Sequence, residues 1–551
     1  MTKNIILCSD GTGDKGGNGN ESNVYKLYQA VDIHNKETQQ VSFYDNGVGT
    51  KEDGSAVKSN KIWVTLSGAL GLGFKDNVRD LYEYLARHYQ AGDKIFIFGF
   101  SRGAATVRAF TGFINCCGLL DKSKTATEAE FQTQINNALQ AYVEIKSKPE
   151  LASDFKEEFA ITGKDYAPDA NLQIHFLAVW DTVSALGFPD GTWKTSDWFF
   201  KITDKLFYTL EKMTDKKWPH QFYDYELNDN ILNAYQALAI DDERKTFCPK
   251  IWDENKRKPD SVEQVWFAGA HANIGGGYPR SGLSNITLQW LINQASEKGL
   301  VFIEHEVTTI EAHANAEDKL YDSRDGFAIY YRYEPRNIEK LCIDQQTGQA
   351  KIEAGKIKIH NTVTERVKQE TALYAPGFLP AEFEIVETGS KKKKKVSFDI
   401  KKHHDNRQEL HKLVDKRQSL YRTFVEITFF MLVSALFLWS VPPESVKDFI
   451  LQESTQNLAA CQALQNTLEQ CFTNTVSLFP PQRWIYELLT YVFPAVFKNF
   501  IIYVVCIHPI IFIIMMVTIT CIYKIRIKYI IKQSLTLAKI RLLLLETFKS
   551  H

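Results

Sequence analysis

Ile95-Phe96-Ile97-Phe98-Gly99-Phe100-Ser101-Arg102-Gly103-Ala104-Ala105 joins an apolar, β-forming run to a helix-forming one through the pattern G-x-S-x-G. Strand, tight turn and helix in that order are the context a nucleophile elbow requires. Glycines flank the serine because the turn leaves no room for side chains, and the serine Oγ is left free at the N-terminus of a helix. The pentapeptide alone is a weak signal, and the strand before it and the helix after it supply the meaning. We therefore read Ser101 as a nucleophile and expect an α/β fold built around it.

Outward from this turn, up to about Pro279, short β-rich runs alternate with amphipathic helical stretches. Such alternation reads as a mostly parallel sheet with helices on its faces. The clearest strands are Asn4–Cys8, Val41–Tyr44, Lys94–Gly99, Gln173–Trp180 and Gln264–Ala268. Asn77 to Tyr89 places apolar residues at helical spacing, and Ala104 to Ile114 begins a helix directly after a strand. Two segments read as insertions: one near 121–170, helical and polar on one face, and one at 191–227, rich in aromatics such as Trp193, Trp198, Phe199 and Phe200. The second is either a helical cap with its own small core or a greasy lid over the site. Signals from Val301 to Val386 are mixed, and Gly389-Ser390 before five lysines marks the expected end of a catalytic domain covering 1–389.

A serine hydroxyl is a poor nucleophile until a histidine takes its proton, and that histidine needs a carboxylate to hold its tautomer. On such a fold the acid and then the histidine follow the serine along the chain, each just past a strand. Asp181 ends the β-run Ile174–Trp180 and meets the first demand, with Asp190 as its understudy. His271 follows Val265-Trp266-Phe267-Ala268-Gly269-Ala270 and meets the second, with His360 as its main competitor. Gly275-Gly276-Gly277, just after His271, lets the backbone pass close to another loop. Acyl transfer also needs donors aimed at the developing oxyanion. The backbone N–H of Arg102 is one, and the loop Asp10-Gly11-Thr12-Gly13 offers a second from Gly11 or Thr12. His305, Glu306 and His313 lack the H-E-x-x-H spacing, and Asp14 to Asn20 has neither EF-hand order nor a Walker lysine and serine. No metal site is assigned, and the chemistry needs no cofactor.

The chain has 551 residues, 44% hydrophobic and 24% charged, with 65 Lys+Arg against 66 Asp+Glu. That balance excludes wholesale disorder and a general nucleic-acid binder. Its distribution is uneven. Phe424 to Val441 and Phe500 to Tyr523 are apolar runs of membrane-spanning length, with Glu426 in the first and His508-Pro509 in the second. Twelve Lys/Arg lie between Ser390 and Phe424, and seven follow Tyr523, against three basic and five acidic residues between the runs. By the positive-inside rule this gives a basic juxtamembrane linker 390–423, a transmembrane hairpin 424–523 with an outer loop 442–499, and a basic amphipathic tail 524–551. Cys461 and Cys471 fall in that loop, the one place where a disulfide could persist, while Cys8, Cys116, Cys117, Cys248 and Cys342 read as reduced core thiols.

Taken together, Ser9-Asp10-Gly11-Thr12-Gly13, Tyr44-Asp45-Asn46-Gly47, Gly99-Phe100-Ser101-Arg102-Gly103, Val179-Trp180-Asp181-Thr182-Val183, Ala237 to Asp241 with Arg244, and Trp266-Phe267 to Tyr278 resemble a known group. It is the α/β-hydrolase family that includes phospholipase effectors of bacterial type VI secretion. Ile359-His360, Arg366 and Tyr374-Ala375-Pro376 carry the resemblance to about Val386. The resemblance implies a Ser-Asp-His esterase acting on glycerophospholipids, with Ser101, Asp181 and His271 on the family's catalytic positions. Two residues depart from the pattern: Gln236 stands where the family often has histidine, and Asn273 where it usually has aspartate.

The resulting expectation is an α/β-hydrolase-like, mostly parallel sheet with helical insertions and a C-terminal two-helix transmembrane region. Its function would be that of a serine phospholipase anchored in the bacterial inner membrane, multi-pass, with its catalytic domain cytoplasmic. The expected partners are a phospholipid membrane and a lipid substrate, with no nucleic acid and with any regulator or delivery protein unspecified. The rival readings are an esterase or thioesterase on a soluble or protein-bound acyl group, and a membrane-disrupting toxin or defence protein whose hydrolase-like domain is regulatory.

Overall fold

In the computed structural model, residues 2–11, 16, 17, 19–47, 74–145, 147–161, 172–183, 226–258, 260–325, 328, 331, 333–344, 346–390, 392–440 and 509–549 are described. The elements run β1 (Asn4–Ser9), α1 (Asn23–Ala30), β2 (Gln40–Asp45), α2 (Phe74–His88), β3 (Lys94–Phe100), α3 (Ser101–Cys117), α4 (Glu128–Val143), α5 (Pro149–Phe159) and β4 (Phe176–Trp180). They continue with β5 (Ala234–Ala239), β6 (Val262–Phe267), α6 (His271–Gly275), α7 (Gly282–Glu297), α8 (Glu304–Ala312), α9 (Ile338–Leu341), β7 (Lys358–His360), α10 (Asn361–Lys368), β8 (Glu382–Val386), β9 (Lys394–Ser397), α11 (Ile400–Ser440) and α12 (Pro509–Lys549).

The described strands form one sheet in the order β2-β1-β3-β4-β5-β6-β7-β8-β9. Every neighbouring pair is parallel except β8 with β9. The expected mostly parallel α/β sheet is therefore the observed one. Both faces are covered, and successive residues alternate between them. Ile5, Leu7, Ile95, Ile97, Leu177 and Val179 join Leu81, Leu85, Phe110 and Phe113 in one buried cluster. Ile6, Cys8, Phe96, Phe98, Phe176 and Trp180 join Leu27, Trp290 and Leu291 in the other. Burial on two faces is why these strands read as continuous apolar runs rather than as alternating ones.

A parallel sheet brings all its strand ends carrying outgoing loops to one edge. Residues after β1, β3, β4, β5 and β6 therefore meet there, although they lie far apart in the chain. The chain leaves β1 for β2 on one side and returns to β3 on the other, so Ser101 follows a strand at the point where the order reverses. In α/β sheets a crevice opens at such a switch point.

The strands β5, β7, β8 and β9 are not among those expected from the sequence. The last of these lies beyond Gly389-Ser390, where the catalytic domain was expected to end, and closes the sheet by pairing Lys394 and Lys395 against Ile385 and Glu384. Within the segment 121–170, read as a helical insertion, the described residues include α4 and α5, whose Phe131, Ile135, Leu139 and Phe155 join the first cluster. The aromatic insertion lies outside the described residues as far as Tyr225, as do Cys461, Cys471 and the loop 442–499.

The expected transmembrane region is overturned: among the described residues no helix is long and apolar enough to cross a membrane. Length and charge together are the physical reason, since the described apolar stretches, Phe424 to Ser440 and Pro509 to Tyr523, fall short of the ~20 residues a crossing needs before charged residues begin or the described residues end. The helix α11 carries Lys401, Lys402, Arg407, Lys412, Lys416, Arg417 and Arg422 before its apolar end, which itself contains Glu426. The apolar start of α12 meets Lys524, Arg526 and Lys528. With the spans goes the multi-pass placement in the bacterial inner membrane with a cytoplasmic catalytic domain.

The described residues divide into two compact units, the second consisting of 411–440 and 509–534. The first holds the sheet together with the start of α11 and the end of α12. There Phe398 stacks on His403 and faces Phe548, while Leu410, Leu544 and Phe548 are buried. Part of the basic linker and part of the basic tail are thus structural elements of the sheet-bearing unit.

Candidate active site

Gly103 occupies a place that admits nothing larger. A Cβ there would overlap the backbone carbonyls of Ser9 and Asp10 at the end of β1, and one on Gly99 would lie 2.7 Å from the Gly103 oxygen. The two glycines let the chain double back from β3 into α3 against β1. Ser101 sits between them with φ of 57°, a left-handed conformation uncommon for a residue with a side chain. No side chain caps α3, whose N-cap position is Phe100. The Ser101 Oγ is therefore available for other bonds.

It lies 2.7 Å from His271 Nε2, and His271 Nδ1 lies 2.6 Å from Asp181 Oδ2. All three residues are buried, at 7%, 5% and 0% exposure for Ser101, His271 and Asp181. Asp181 is the first residue past β4 and has φ of 41°. His271 opens α6 just past β6, its ring tilted against Phe100 and edge-on to Phe247. Its own N–H donates to Asp242 Oδ2 at 3.2 Å.

The glycines after His271 serve the close approach expected of them. A Cβ on Gly275 would overlap the Phe100 ring, and Gly276, with φ of 90°, would carry one 2.7 Å from the Asn23 nitrogen. Gly277 N–H donates to the Glu21 carbonyl at 3.2 Å. The loop bearing His271 is thus pressed between the elbow and the start of α1.

Asp181 has a partner that the sequence does not announce. Arg336 Nη1 donates to Oδ1 at 2.6 Å and Nη2 to Oδ2 at 2.8 Å. The Ala239 N–H adds a third bond to Oδ1 at 3.0 Å. Burial pushes the Asp181 carboxyl up, but the Arg336 charge and the hydrogen bonds from His271 and Arg336 outweigh it and hold the carboxyl well below the usual range. Burial pulls the His271 imidazole down, and the Asp181 carboxylate opposes that only in part. An uncharged imidazole between a hydroxyl and a carboxylate can take a proton from the first while the second stabilises the resulting cation.

The surrounding loops are held by polar side chains in equally definite ways. Asn273 Oδ1 accepts from the N–H groups of Ala270 and Tyr321 while its Nδ2 donates to the Lys319 carbonyl at 3.1 Å. An aspartate could not make the last of these bonds. Gln236 accepts from Thr182 Oγ1 at 3.1 Å and donates to the Lys250 carbonyl at 3.1 Å. Asp241 Oδ2 accepts from Gly269 N–H at 2.7 Å and from the Tyr374 hydroxyl at 2.8 Å, and burial pushes this carboxyl up to about 6.

Of the remaining candidate residues, Arg102 lies in the first turn of α3, where backbone N–H groups have no helical carbonyl to bond. Gly11 follows β1, and its N–H donates to Asp10 Oδ1 at 2.7 Å; Thr12 lies outside the described residues, as does Asp190. Asp10 is held in turn by Ser22 and Tyr44, each at 2.5 Å. His360 is engaged elsewhere, between Thr362 and Thr388 and stacked on Phe267, and burial pulls its imidazole down to about 3. Among the described residues there is no group of His, Cys, Asp and Glu suited to hold a metal ion. Asp242 could have been suspected from its place directly after Asp241; Arg336, in an irregular segment, carries no local signal.

Comparison with known proteins adds to this geometry. The family model described as T6SS, phospholipase effector Tle1-like, catalytic domain matches residues 3–294. An uncharacterised protein of Saccharomyces cerevisiae is 29% identical over 196 residues, which is 34% of this chain and 27% of that protein. The match thus spans about a quarter of the yeast relative's length. Among solved structures, a Tle1 effector bound to the VgrG spike of the type 6 secretion system shares 14% identity, with 60% of this chain and 78% of that one covered and a TM-score of 0.32. An uncharacterised protein from Pseudomonas aeruginosa shares 14% identity, with 89% and 66% covered and a TM-score of 0.31.

Proposed function

The chain belongs to the family of Tle1-like catalytic domains of type VI secretion phospholipase effectors, a family of hydrolases, and from that premise we propose that it cleaves acyl ester bonds of glycerophospholipids with Ser101, His271 and Asp181. The observation that carries the reading is the unbroken hydrogen-bonded line from Ser101 Oγ through both ring nitrogens of His271 to the Asp181 carboxylate.

The chemistry balances without any further reactant than water. Ser101 Oγ gives its proton to His271 Nε2 as it attacks the acyl carbonyl carbon. The ester C–O bond then breaks, and His271 returns the proton to the departing glyceryl oxygen, releasing a lysophospholipid. Water, deprotonated by His271, cleaves the acyl-serine and frees the fatty acid. Asp181 keeps the other imidazole proton on Nδ1 throughout and stabilises the cation that forms twice per cycle. The oxyanion is assigned to the Arg102 N–H and to a donor in the Gly11-Thr12 loop. For Gly11 this requires that its bond to Asp10 be exchanged for one to the substrate.

A fluorophosphonate probe followed by peptide mass spectrometry tests the assignment of the nucleophile. The expected result is one adduct, on Ser101, absent from Ser101→Ala and strongly slowed in His271→Ala. Labelling at another serine, or none, would remove Ser101 from the role. Turnover of dispersed phospholipid against a monomeric short-chain ester tests the substrate class, and activity confined to the monomeric ester would contradict a lipid substrate.

A further inference from the structure

We propose that Arg336 is a positioning residue of this hydrolase, clamping the Asp181 carboxylate in a two-pronged ion pair behind His271, so that the catalytic charge network is completed by a residue beyond the segment the family model matches. The inference rests on the reading of Ser101, His271 and Asp181 as the catalytic line.

The guanidinium is committed to this one place. Both of its terminal nitrogens bond Asp181, and each has a second acceptor, the Ala239 carbonyl at 2.6 Å for Nη1 and the Phe247 carbonyl for Nη2. The Arg336 side chain is 2% exposed, and its Nε is buried without a hydrogen-bond partner among the described residues. Burying an arginine is costly unless its charge is paired, and a planar fork matched to a carboxylate is the geometry that recovers most of the cost. The fork also sets direction. A carboxylate held only by His271 and the single Ala239 N–H could still twist about its last bond, whereas one gripped edge-on as well presents Oδ2 to His271 Nδ1 in a single orientation.

The support behind Arg336 is equally specific. Asn337 caps α9 by accepting from the Lys340 N–H at 3.2 Å, and Glu339 and Asn337 together receive Arg407 of α11, at 2.7 and 3.1 Å. Residues 337–341 and the first turns of α11 thus brace the arginine from outside the sheet. Both lie past residue 294, where the family match ends.

The arginine also sets how strongly Asp181 attracts a proton onto His271. Among the described residues, the other charged or titratable groups that bear on the pair include Asp242, Arg244, Asp241 and the Cys248 thiol. With Arg336 present the carboxylate charge is shared between the guanidinium and the imidazole. Without it the whole charge faces the imidazole and favours the imidazolium. The base must be neutral to work, so the loss of Arg336 moves the acid limb of activity to higher pH.

The test uses the full chain, with wild type, Arg336→Met, Arg336→Lys, Asp181→Asn and the double variant Asp181→Asn/Arg336→Met, and reads kcat and KM against pH on a soluble short-chain ester. Arg336→Met is expected to raise the acid limb by about one pH unit and lower kcat by about tenfold, with KM within about twofold. Arg336→Lys keeps the charge but not the fork, so it should restore the limb while leaving kcat low. In the Asp181→Asn background, Arg336→Met should cause no further shift. An unmoved limb in a cooperatively melting Arg336→Met protein, or an equal shift in the Asp181→Asn background, would overturn the proposal. If Arg336→Met does not fold, wild-type kcat in Arg336→Lys overturns it and a lowered kcat at an unmoved limb supports it. The His271 imidazole titration, followed by NMR in wild type and in Arg336→Met or Arg336→Gln, reads the same charge without turnover. A protein inert toward every ester would therefore refute the catalytic reading, while an imidazole indifferent to loss of the Arg336 charge would refute this one.

Discussion

Asp181 shows how much one residue's surroundings decide. Its carboxylate accepts from His271, from both prongs of Arg336 and from the Ala239 N–H. Asparagine at this position would turn an acceptor into a donor, lose the charge and favour the wrong tautomer of His271. Asp181→Asn should therefore lower kcat by about 10³- to 10⁴-fold with little change in KM, measured on any ester the wild type cleaves. Asp241 offers the opposite case. Both of its described donors, Gly269 N–H and the Tyr374 hydroxyl, bond the same oxygen, so an asparagine amide oxygen can keep both. Its carboxyl is pushed up to about 6 in the folded chain, above its unfolded value near 3.8, so its contribution to stability is full at low pH and is lost as pH rises through 6. Asp241→Asn should then gain stability over wild type as pH rises from about 4 to about 6, by about 1–3 kcal/mol in all, with no further gain above about pH 7. A constant difference across that range would contradict the burial of a carboxylate there. The departures at Gln236 and Asn273 likewise have structural uses: the Gln236 amide accepts from Thr182 and donates to the Lys250 carbonyl, and the Asn273 amide both accepts and donates where an aspartate could only accept.

At the scale of elements, strands with both faces buried announce themselves, and the loops that follow them place the chemistry. The runs leading to Cys8, Gly99, Trp180 and Ala268 were legible because continuous apolar stretches bounded by turn residues have few other solutions. The residues that follow three of them, Ser101, Asp181 and His271, are the ones the structure brings together. The strand β5 escaped because Ala234-Tyr235-Gln236-Ala237-Leu238-Ala239 carries a buried glutamine and three alanines, a composition that favours a helix as readily as a strand. The three-residue β7 and the lysine-bearing β9 are defined by their neighbours' register and not by any pattern of their own. Arg336 is illegible for the same reason, because its meaning comes from a residue 155 positions away. The glycines of the elbow were read correctly, and their necessity can be measured. Gly103→Ala forces a methyl into the β1 backbone and should destabilise by roughly 2 kcal/mol or more while slowing fluorophosphonate labelling of Ser101. A variant with wild-type melting and labelling would mean that the close approach of α3 to β1 is not required.

For the whole molecule, the uneven charge that suggested a membrane topology has a different use in the described residues. Lys393 faces Glu263 at 3.6 Å, Arg407 pairs with Glu339, and Lys539 and Arg541 pair with Glu409 and Glu370. Basic residues that a topology rule counts as flanks are partly the polar rim of helices seated on the sheet-bearing unit. A sequence average cannot distinguish the two uses, because an apolar helix face and an apolar span draw on the same residues. Removing residues 535–551 would strip Leu544 and Phe548 from their buried places, the latter facing Phe398. Such a truncation should lower the melting temperature by several degrees, and an unchanged melt would show that this end of α12 contributes nothing to the fold.

The central claim is that Ser101 opens phospholipid acyl esters. The purified protein and its Ser101→Ala variant, incubated with phospholipid vesicles of mixed headgroups and followed by lipid mass spectrometry, test it most directly. The wild type should release fatty acid and lysophospholipid over time, and the variant neither. Intact phospholipid in both, or equal release by both, would contradict the claim.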